Sequence, residues 1–447
     1  MSLLFIKKLF YIDQLSIIIL ILACYIGTVV AVFSKNYIKG DARYLKFFST
    51  LLILVLSVMT MAIADNLVLF LIAWVISSSA LIKLMVHKSA WKAAKESGKI
   101  CTRYFLFGLS FISMGFGLLY FQTGKLSIQK IIQLSSFSTP LTIPLLLLLI
   151  GALIQTAIWP FHRWLISSLN SPTPVSAMMH AGIINGGGFL LARFAPLYFA
   201  APNILTLIFA LGLISSLIGS LWKLMQSDIK KMLACSTMSQ MGFMLMQCGL
   251  GLFTAAIAHL CWHGMYKAYL FLGSGGSAQE KKISLENKPT YTSFLCALFC
   301  GFAGAYSFSL ASHTPWFANN TTSLLLVIAL IGGSQVSLSI LQNKPLKKLF
   351  IALTLTTLTG FIYGKGIFFL ELFLKPLGLM HPQKLNFLHY FAFLVLILGW
   401  LLILFIRHPS QKGALPNWIL YFYVKALNKS QSHPKTITAN RKDYKYV

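Results

Sequence analysis

Residues 149–194 read LIGALIQTAIWPFHRWLISSLNSPTPVSAMMHAGIINGGGFLLARF. An apolar run leads up to Pro160, which stops it, because proline removes a backbone donor and its ring clashes with the preceding turn. His162 and Arg163 follow the break. Ser171-Pro172-Thr173-Pro174 is a rigid polar turn, in which Ser171 or Thr173 is expected to cap the next helix. That helix carries His180, then Asn185 and Gly186-Gly187-Gly188, which permit close approach between helices. Broken backbone at membrane depth is tolerated only where it is buried in protein or lines a water-filled cavity. The stretch therefore predicts a helical membrane protein with an interrupted span beside a polar interior, with Pro160, Pro172 and Pro174 marking the interruption.

Outward from there, long apolar runs and short polar connections fill the chain. Of 447 residues, 57% are apolar and 10% charged, against roughly 25% charged in an ordinary soluble domain. That composition excludes a soluble enzyme, a disordered chain and a disulfide scaffold. The 37 lysines and arginines against 9 acids give a net charge of +28. A nucleic-acid binder gathers such charge on a soluble face. Here it lies in short segments between apolar runs, so no nucleic-acid partner is expected. The 7 cysteines show no Cys-x-x-Cys spacing and read as packing thiols. No metal site, cofactor or catalytic residue is expected, and GSGGS at 273–277 reads as a helix stop.

A bilayer core takes about 20 apolar residues per helix. The candidate spans are 12–34, 46–64, 66–86, 102–121, 142–165, 175–199, 203–225, 229–250, 252–276, 291–311, 321–341, 346–364 and 386–407, which makes about 13 transmembrane helices in an all-α membrane protein. The 364–386 stretch reads as a re-entrant or interfacial piece. The opening MSLLFIKKLFYIDQLSIIIL has no small-residue cleavage site and reads as a retained first span. If the spans alternate, 28 of the 37 cations fall on one side and 8 on the other, with Lys267 left inside a span. The positive-inside rule makes the richer side cytoplasmic. The N-terminus then lies outside and the C-terminus inside.

Ionisable groups within a span are functional candidates by default. The richest run is AAIAHLCWHGMYKAYLFLGSGG, residues 255–276, where His259, His263 and Lys267 recur every fourth residue. They form one polar stripe along about 12 Å of helix. Imidazoles titrate near neutral pH, and burial disfavours the charged form of an amine. Two imidazoles leading to an amine make a proton wire, and Lys267 is too deep to snorkel to the interface. None of the 9 acids lies near the middle of a span, so no carboxylate cage for a cation is encoded.

These segments resemble the antiporter-like membrane subunits of respiratory complex I and of Mrp-type antiporters. The resemblance rests on Asp13-Gln14-Leu15-Ser16, Ala64-Asp65-Asn66-Leu67, Pro172-Thr173-Pro174-Val175-Ser176-Ala177, and the run from Asp228 through Ser236-Thr237-Met238-Ser239-Gln240 to His259, His263 and Lys267. It implies two inverted five-helix repeats, each with a broken helix, and a proton route through Lys267. It also implies a division into an N-terminal span and loop (1–45), two repeats (46–200 and 201–364), C-terminal helices (365–410) and a basic cytoplasmic tail (411–447). Antiporter-like subunits carry Trp-Glu where this chain has Trp74-Val75, and a lysine where it has Gln155. Within the superfamily the chain looks more like the membrane subunits of DAB-type inorganic carbon transporters. That likeness is carried by AWVISSSALIKLM (73–85), PFHRWL (160–165), SAMMHAGIINGGGFLLARFAPL (176–197) and YFYVKALN (421–428).

What this resemblance implies is a bacterial inner-membrane transporter subunit that conducts protons or sodium ions. It would drive CO2 hydration to bicarbonate in a DabA-like cytoplasmic zinc subunit. Zinc then belongs to the partner, with membrane lipid the other surroundings. The pathway residues implied are Lys267, His263, His259, His180, Gln155, His162 and Arg163. The basic connection with Lys88, Lys92, Lys95 and Arg103 would dock the partner.

Overall fold

The computed structural model describes residues 9–134, 141–278, 290–316, 318–341, 345–406 and 417–437. The cations at positions 7, 8, 281, 282, 288, 344, 407, 412, 441, 442 and 445, and residues 411–416 and 438–447 of the expected tail, lie outside the described residues. So do residues 1–8, ahead of the expected first span. Among the described residues the chain is helical, with only isolated β-bridges.

The helices are α1 (Gln14–Tyr37), α2 (Tyr44–Ile63), α3 (Leu67–Met85), α4 (Lys92–Thr123), the short α5 (Ile128–Ile132), α6 (Thr142–Gln155) and α7 (Arg163–Ile166). Then follow α8 (Thr173–Ala181), α9 (Gly186–Arg193), α10 (Ala195–Phe199), α11 (Pro202–Leu224), α12 (Ile229–Gly249) and α13 (Phe253–Leu272). The remainder are α14 (Tyr291–Ser312), α15 (Thr322–Leu341), α16 (Pro345–Leu374), α17 (Phe387–Ile406) and α18 (Asn417–Lys429).

Each of the thirteen stretches expected to span contains helix among its described residues, with 142–165 and 175–199 interrupted. By length and composition, nine helices among the described residues can cross a membrane. Residues 142–155 and 387–402 form shorter apolar helices. The other two, α12 and α13, are 21 and 20 residues long. They fall short only in hydropathy, because they carry the polar groups described below. The 364–386 stretch is largely not re-entrant. Its first half continues α16 to Leu374, since no breaker occurs before Pro376 and the left-handed Gly378.

The chain divides into two compact units, residues 1–249 with 259–279 and 422–447, and residues 250–258 with 280–421. In the first unit the interrupted span is real. Helix α6 stops at Gln155, Ala157 takes a left-handed conformation, and α7 resumes at Arg163. The freed backbone is partly satisfied from within, as burial requires: the Trp164 indole donates to the Ile154 carbonyl at 2.9 Å. A second interruption at 182–185, a short 3-10 turn, separates α8 from α9. The 173–193 span is the most enclosed, with 89% of its apolar window buried against 50% or less in each of the others. Gly187 lets α9 sit directly on α6, because a Cβ there would lie 2.4 Å from the Ala152 carbonyl oxygen.

Neither Ser171 nor Thr173 caps α8. Pro172 holds the cap position without a side-chain bond. Both interruptions fall in the first unit. From Pro202 to Leu374 the described helices run without one, since proline occurs there only at a first helical position or between helices. The second broken helix expected within 201–364 is thus not found among the described residues.

In the second unit, α14 packs on α15 and α16 through small residues. The Ser337 and Thr356 hydroxyls share a hydrogen bond of 2.6 Å, and Trp400 of α17 donates to Gln335 at 3.1 Å.

Candidate functional site: a buried line of polar groups

Helix α13 supplies the stripe. His259, His263 and Lys267 are buried, and Lys267 is 0% exposed. Trp262, Tyr266 and Tyr269 point outward from the same helix. The two imidazoles stack with ring centroids 5.7 Å apart and planes 18° from parallel. Lys267 does not snorkel. Its amine donates to the Leu233 carbonyl of α12 at 3.1 Å. Burying a cationic side chain on one neutral oxygen is costly, so the fold retains this amine at a structural expense.

The Leu233 carbonyl is also the acceptor for the Thr237 hydroxyl at 3.0 Å. That hydroxyl lies 3.0 Å from Nδ1 of His180 on α8. A hydroxyl has one proton. With it committed to Leu233, His180 must donate through Nδ1, which leaves Nε2 of the neutral ring as an acceptor. The His180 ring stacks on Phe271 of α13, with centroids 4.2 Å apart. Three helices thus converge on one carbonyl oxygen, with His180 and Lys267 linked through it. Gly264 makes this possible: a Cβ there would lie 2.9 Å from the Ala181 carbonyl oxygen of α8.

A cavity of about 40 Å3 opens on the other side of α8, lined in part by Trp74, Ser77, Gln155, Asn185 and Gly186. It has room for roughly three waters at 10–15 Å3 each. Gln155 donates to the Ile183 carbonyl at 3.2 Å. Asn185 donates to Ala181 at 2.8 Å, and its Oδ1 faces no protein partner. His259 Nε2 and His263 Nε2 are likewise buried without a protein partner. Such atoms call for ordered water.

The structure does not bring every predicted residue together. His162 is buried against Trp222, with ring centroids 4.7 Å apart, among the residues that follow the break. Arg163 is exposed. Pro160, Pro172 and Pro174 bound the interruption, as their chemistry dictates. Lys88, Lys92, Lys95 and Arg103 are all exposed, as a docking surface requires. Val75 points outward, while Trp74 is buried.

Sequence reasoning missed Thr237, the Leu233 carbonyl and Arg193. Thr237 stood within a quoted stretch, and a helical hydroxyl facing a polar stripe was the available signal. A carbonyl has no signal in sequence. Arg193, one of the 8 cations assigned to the sparser side, is a buried residue that pairs with Asp13. It also donates to the Ser16 hydroxyl and the Ala62 carbonyl, both at 2.9 Å.

The family model described as NADH:quinone oxidoreductase/Mrp antiporter, TM matches residues 64–297, and that of the complex I chain 5 N-terminus matches residues 4–48. A probable inorganic carbon transporter subunit DabB of Bacillus subtilis is 35% identical over 335 residues, covering 74% of this chain and 65% of that protein. The DabB1 counterpart of Halothiobacillus neapolitanus is 36% identical over 293 residues, covering 63% and 52%. The chloroplastic NAD(P)H-quinone oxidoreductase subunit 5 of Lemna minor is 35% identical over 276 residues, covering 60% and 37%. The chain therefore spans about half to two thirds of the length of the carbon-transporter relatives it matches. A chain in the Mrp complex from Dietzia sp. DQ12-45-1b superposes with a TM-score of 0.64 over 94% of this chain and 52% of its own, at 19% identity, which speaks to fold alone. Together with the interrupted span and the buried lysine, the match over residues 64–297 establishes that this multi-pass membrane protein belongs to the antiporter-like family of NADH:quinone oxidoreductase and Mrp membrane subunits.

Proposed function

We propose that the chain is the energy-coupling membrane subunit of an inorganic carbon transporter. In this reading it conducts protons along the α8–α12–α13 line, and that flow drives CO2 hydration in a DabA-like cytoplasmic zinc partner. The chain itself performs no catalysis and holds no cofactor. It sits in the bacterial inner membrane with its N-terminus outside and its C-terminus inside, so the exposed Lys88 and, on the N-terminal half of α4, Lys92, Lys95 and Arg103 face the partner. The relatives named as inorganic carbon transporter subunits support the carbon reading.

The observation that carries the conducting role is the Lys267 amine held on the Leu233 carbonyl, one hydroxyl away from His180. An ammonium has three donors and a neutral amine still has two. Lys267 can therefore gain or lose a proton without releasing its tether. His180, fixed with Nδ1 donating, presents Nε2 to accept a proton. His263 and His259 extend the line along α13, and water at their Nε2 atoms completes the hydrogen-bonded path.

The test is rescue of growth in air. A host lacking carbonic anhydrase should grow when this chain is co-expressed with its DabA-like partner, and Lys267→Ala should abolish rescue. Rescue that survives both Lys267→Ala and an uncoupler would overturn the proton-driven mechanism. A second reading, a proton- or sodium-translocating subunit of a respiratory or Mrp-type complex, is favoured by the quinone-oxidoreductase relatives. Isolation of the chain with quinone-reducing or antiporter subunits would select it.

A further inference from the structure

A second cavity, of about 350 Å3, opens at the shared end of α2 and α3. That volume falls within the usual range for a small-molecule site, roughly 300–1,000 Å3. Arg43, Lys46, Lys83 and His87 line it. Arg43 precedes the first residue of α2, Lys46 lies in its first turn, and Lys83 lies in the last turn of α3. Four basic side chains are thus gathered where two apolar spans leave the membrane.

Their partners leave a surplus of positive charge. His87 takes the Asp41 carboxylate at 3.2 Å. Burial pushes that carboxyl's pKa up, but the Arg43 amide, the His87 ring and nearby Lys88 outweigh it, so Asp41 sits below its ordinary value. Asp41 is therefore ionised and spoken for. Arg43 is oriented by the His87 carbonyl at 3.1 Å and by the Ser89 hydroxyl, both neutral. Among the described residues neither Lys46 nor Lys83 has an acidic partner.

The surroundings select the kind of anion. Leu45, Leu52 and Ile53 on α2, and Ile72 and Ile76 on α3, are exposed and apolar, as membrane-facing residues of a spanning helix are. A ligand seated among the cations therefore meets hydrocarbon along its flank. Basic pockets between spanning helices at a membrane surface suit anionic lipid head groups. A free phosphate or bicarbonate would use the cations and leave the apolar flank idle.

We propose that this pocket binds the phosphate head group of an anionic glycerophospholipid, with its acyl chains along the outer faces of α2 and α3. The phosphate lies between Lys46 and Lys83 with the Arg43 guanidinium at its base. A bound lipid would brace the α2 and α3 ends against the α1–α2 turn through Arg43 and Asp41.

The test uses the full chain purified in mild detergent and titrated with phosphatidylglycerol, with adducts read by native mass spectrometry. Lys46→Ala with Lys83→Ala should weaken retention roughly 30-fold, each cation near a membrane surface counting for about a factor of five. Lys46→Arg with Lys83→Arg should restore it, which separates loss of charge from loss of fold. Lys35→Ala with Lys39→Ala, outside the pocket, should leave retention unchanged. The proposal is overturned if phosphatidylcholine is retained as well as phosphatidylglycerol. It is equally overturned if the pocket and outside variants lose lipid alike, or if millimolar inorganic phosphate displaces the lipid, which would make the site one for free anions.

Discussion

Replacing Thr237 by valine removes one hydroxyl and almost no volume. In the structure that hydroxyl sits 3.0 Å from His180 Nδ1 and 3.0 Å from the Leu233 carbonyl. Without it, Nδ1 of a fully buried imidazole has no partner, at a cost of about 1–3 kcal/mol. The Leu233 carbonyl is protected from the same fate, because the Lys267 amine remains on it. The penalty therefore falls on His180, which is free to turn or to change tautomer and withdraw Nε2 from the line. If all of it is taken from the conducting arrangement, proton flux should fall about 5- to 150-fold. The assay is acidification of vesicles carrying the full chain with its partner, read by a pH-sensitive dye. Thr237→Ser keeps the hydroxyl and should retain flux, whereas a purely packing role for Thr237 would favour valine over serine. Undiminished flux in a well-expressed Thr237→Val protein would refute the assignment of His180 to the line.

Other outcomes follow from the same geometry. Gly264→Ala places a methyl 2.9 Å from the Ala181 carbonyl oxygen. It should destabilise the chain by about 1–3 kcal/mol and reduce flux, seen as a lower midpoint in thermal melting and slower dye response. Arg193→Met alone strands the buried Asp13 carboxylate and should cost about 3–5 kcal/mol, while Arg193→Met with Asp13→Leu should recover most of the loss in the same melt. Gln155→Leu removes the donor to Ile183. It should lower stability by about 1–3 kcal/mol, and a flux unchanged relative to wild type would take Gln155 out of the pathway. His162→Phe, in a ring packed against Trp222, should leave flux within twofold, and a larger loss would put His162 in the conducting line.

The spans and the break were legible because apolar length and proline act locally. The hydropathy of α13 is low because it carries the polar stripe. Other features needed the folded chain. The cap expected at Ser171 or Thr173 is absent, because the helix starts one residue off from either, with Pro172 at the cap position. The continuation of α16 past residue 364 shows a helix running until a true breaker arrives, whatever its apolar run suggests. Arg193 counted among the cations of one membrane side, since sequence places a charge along the chain but not in depth.

By itself the sequence determined the class, the interrupted span and the helical register that aligns His259, His263 and Lys267. These depend on composition and on a period of 3.6 residues, which every helix obeys. Only the tertiary structure decided what the stripe meets. The Lys267 amine rests on a main-chain carbonyl, and no residue identity encodes which carbonyl is exposed to it. His180 and Lys267 are 87 positions apart in the chain and are joined through Thr237 and Leu233 of a third helix. That convergence depends on how closely α8 and α13 pack at Gly264. Such packing is set by the whole first unit, not by any one segment.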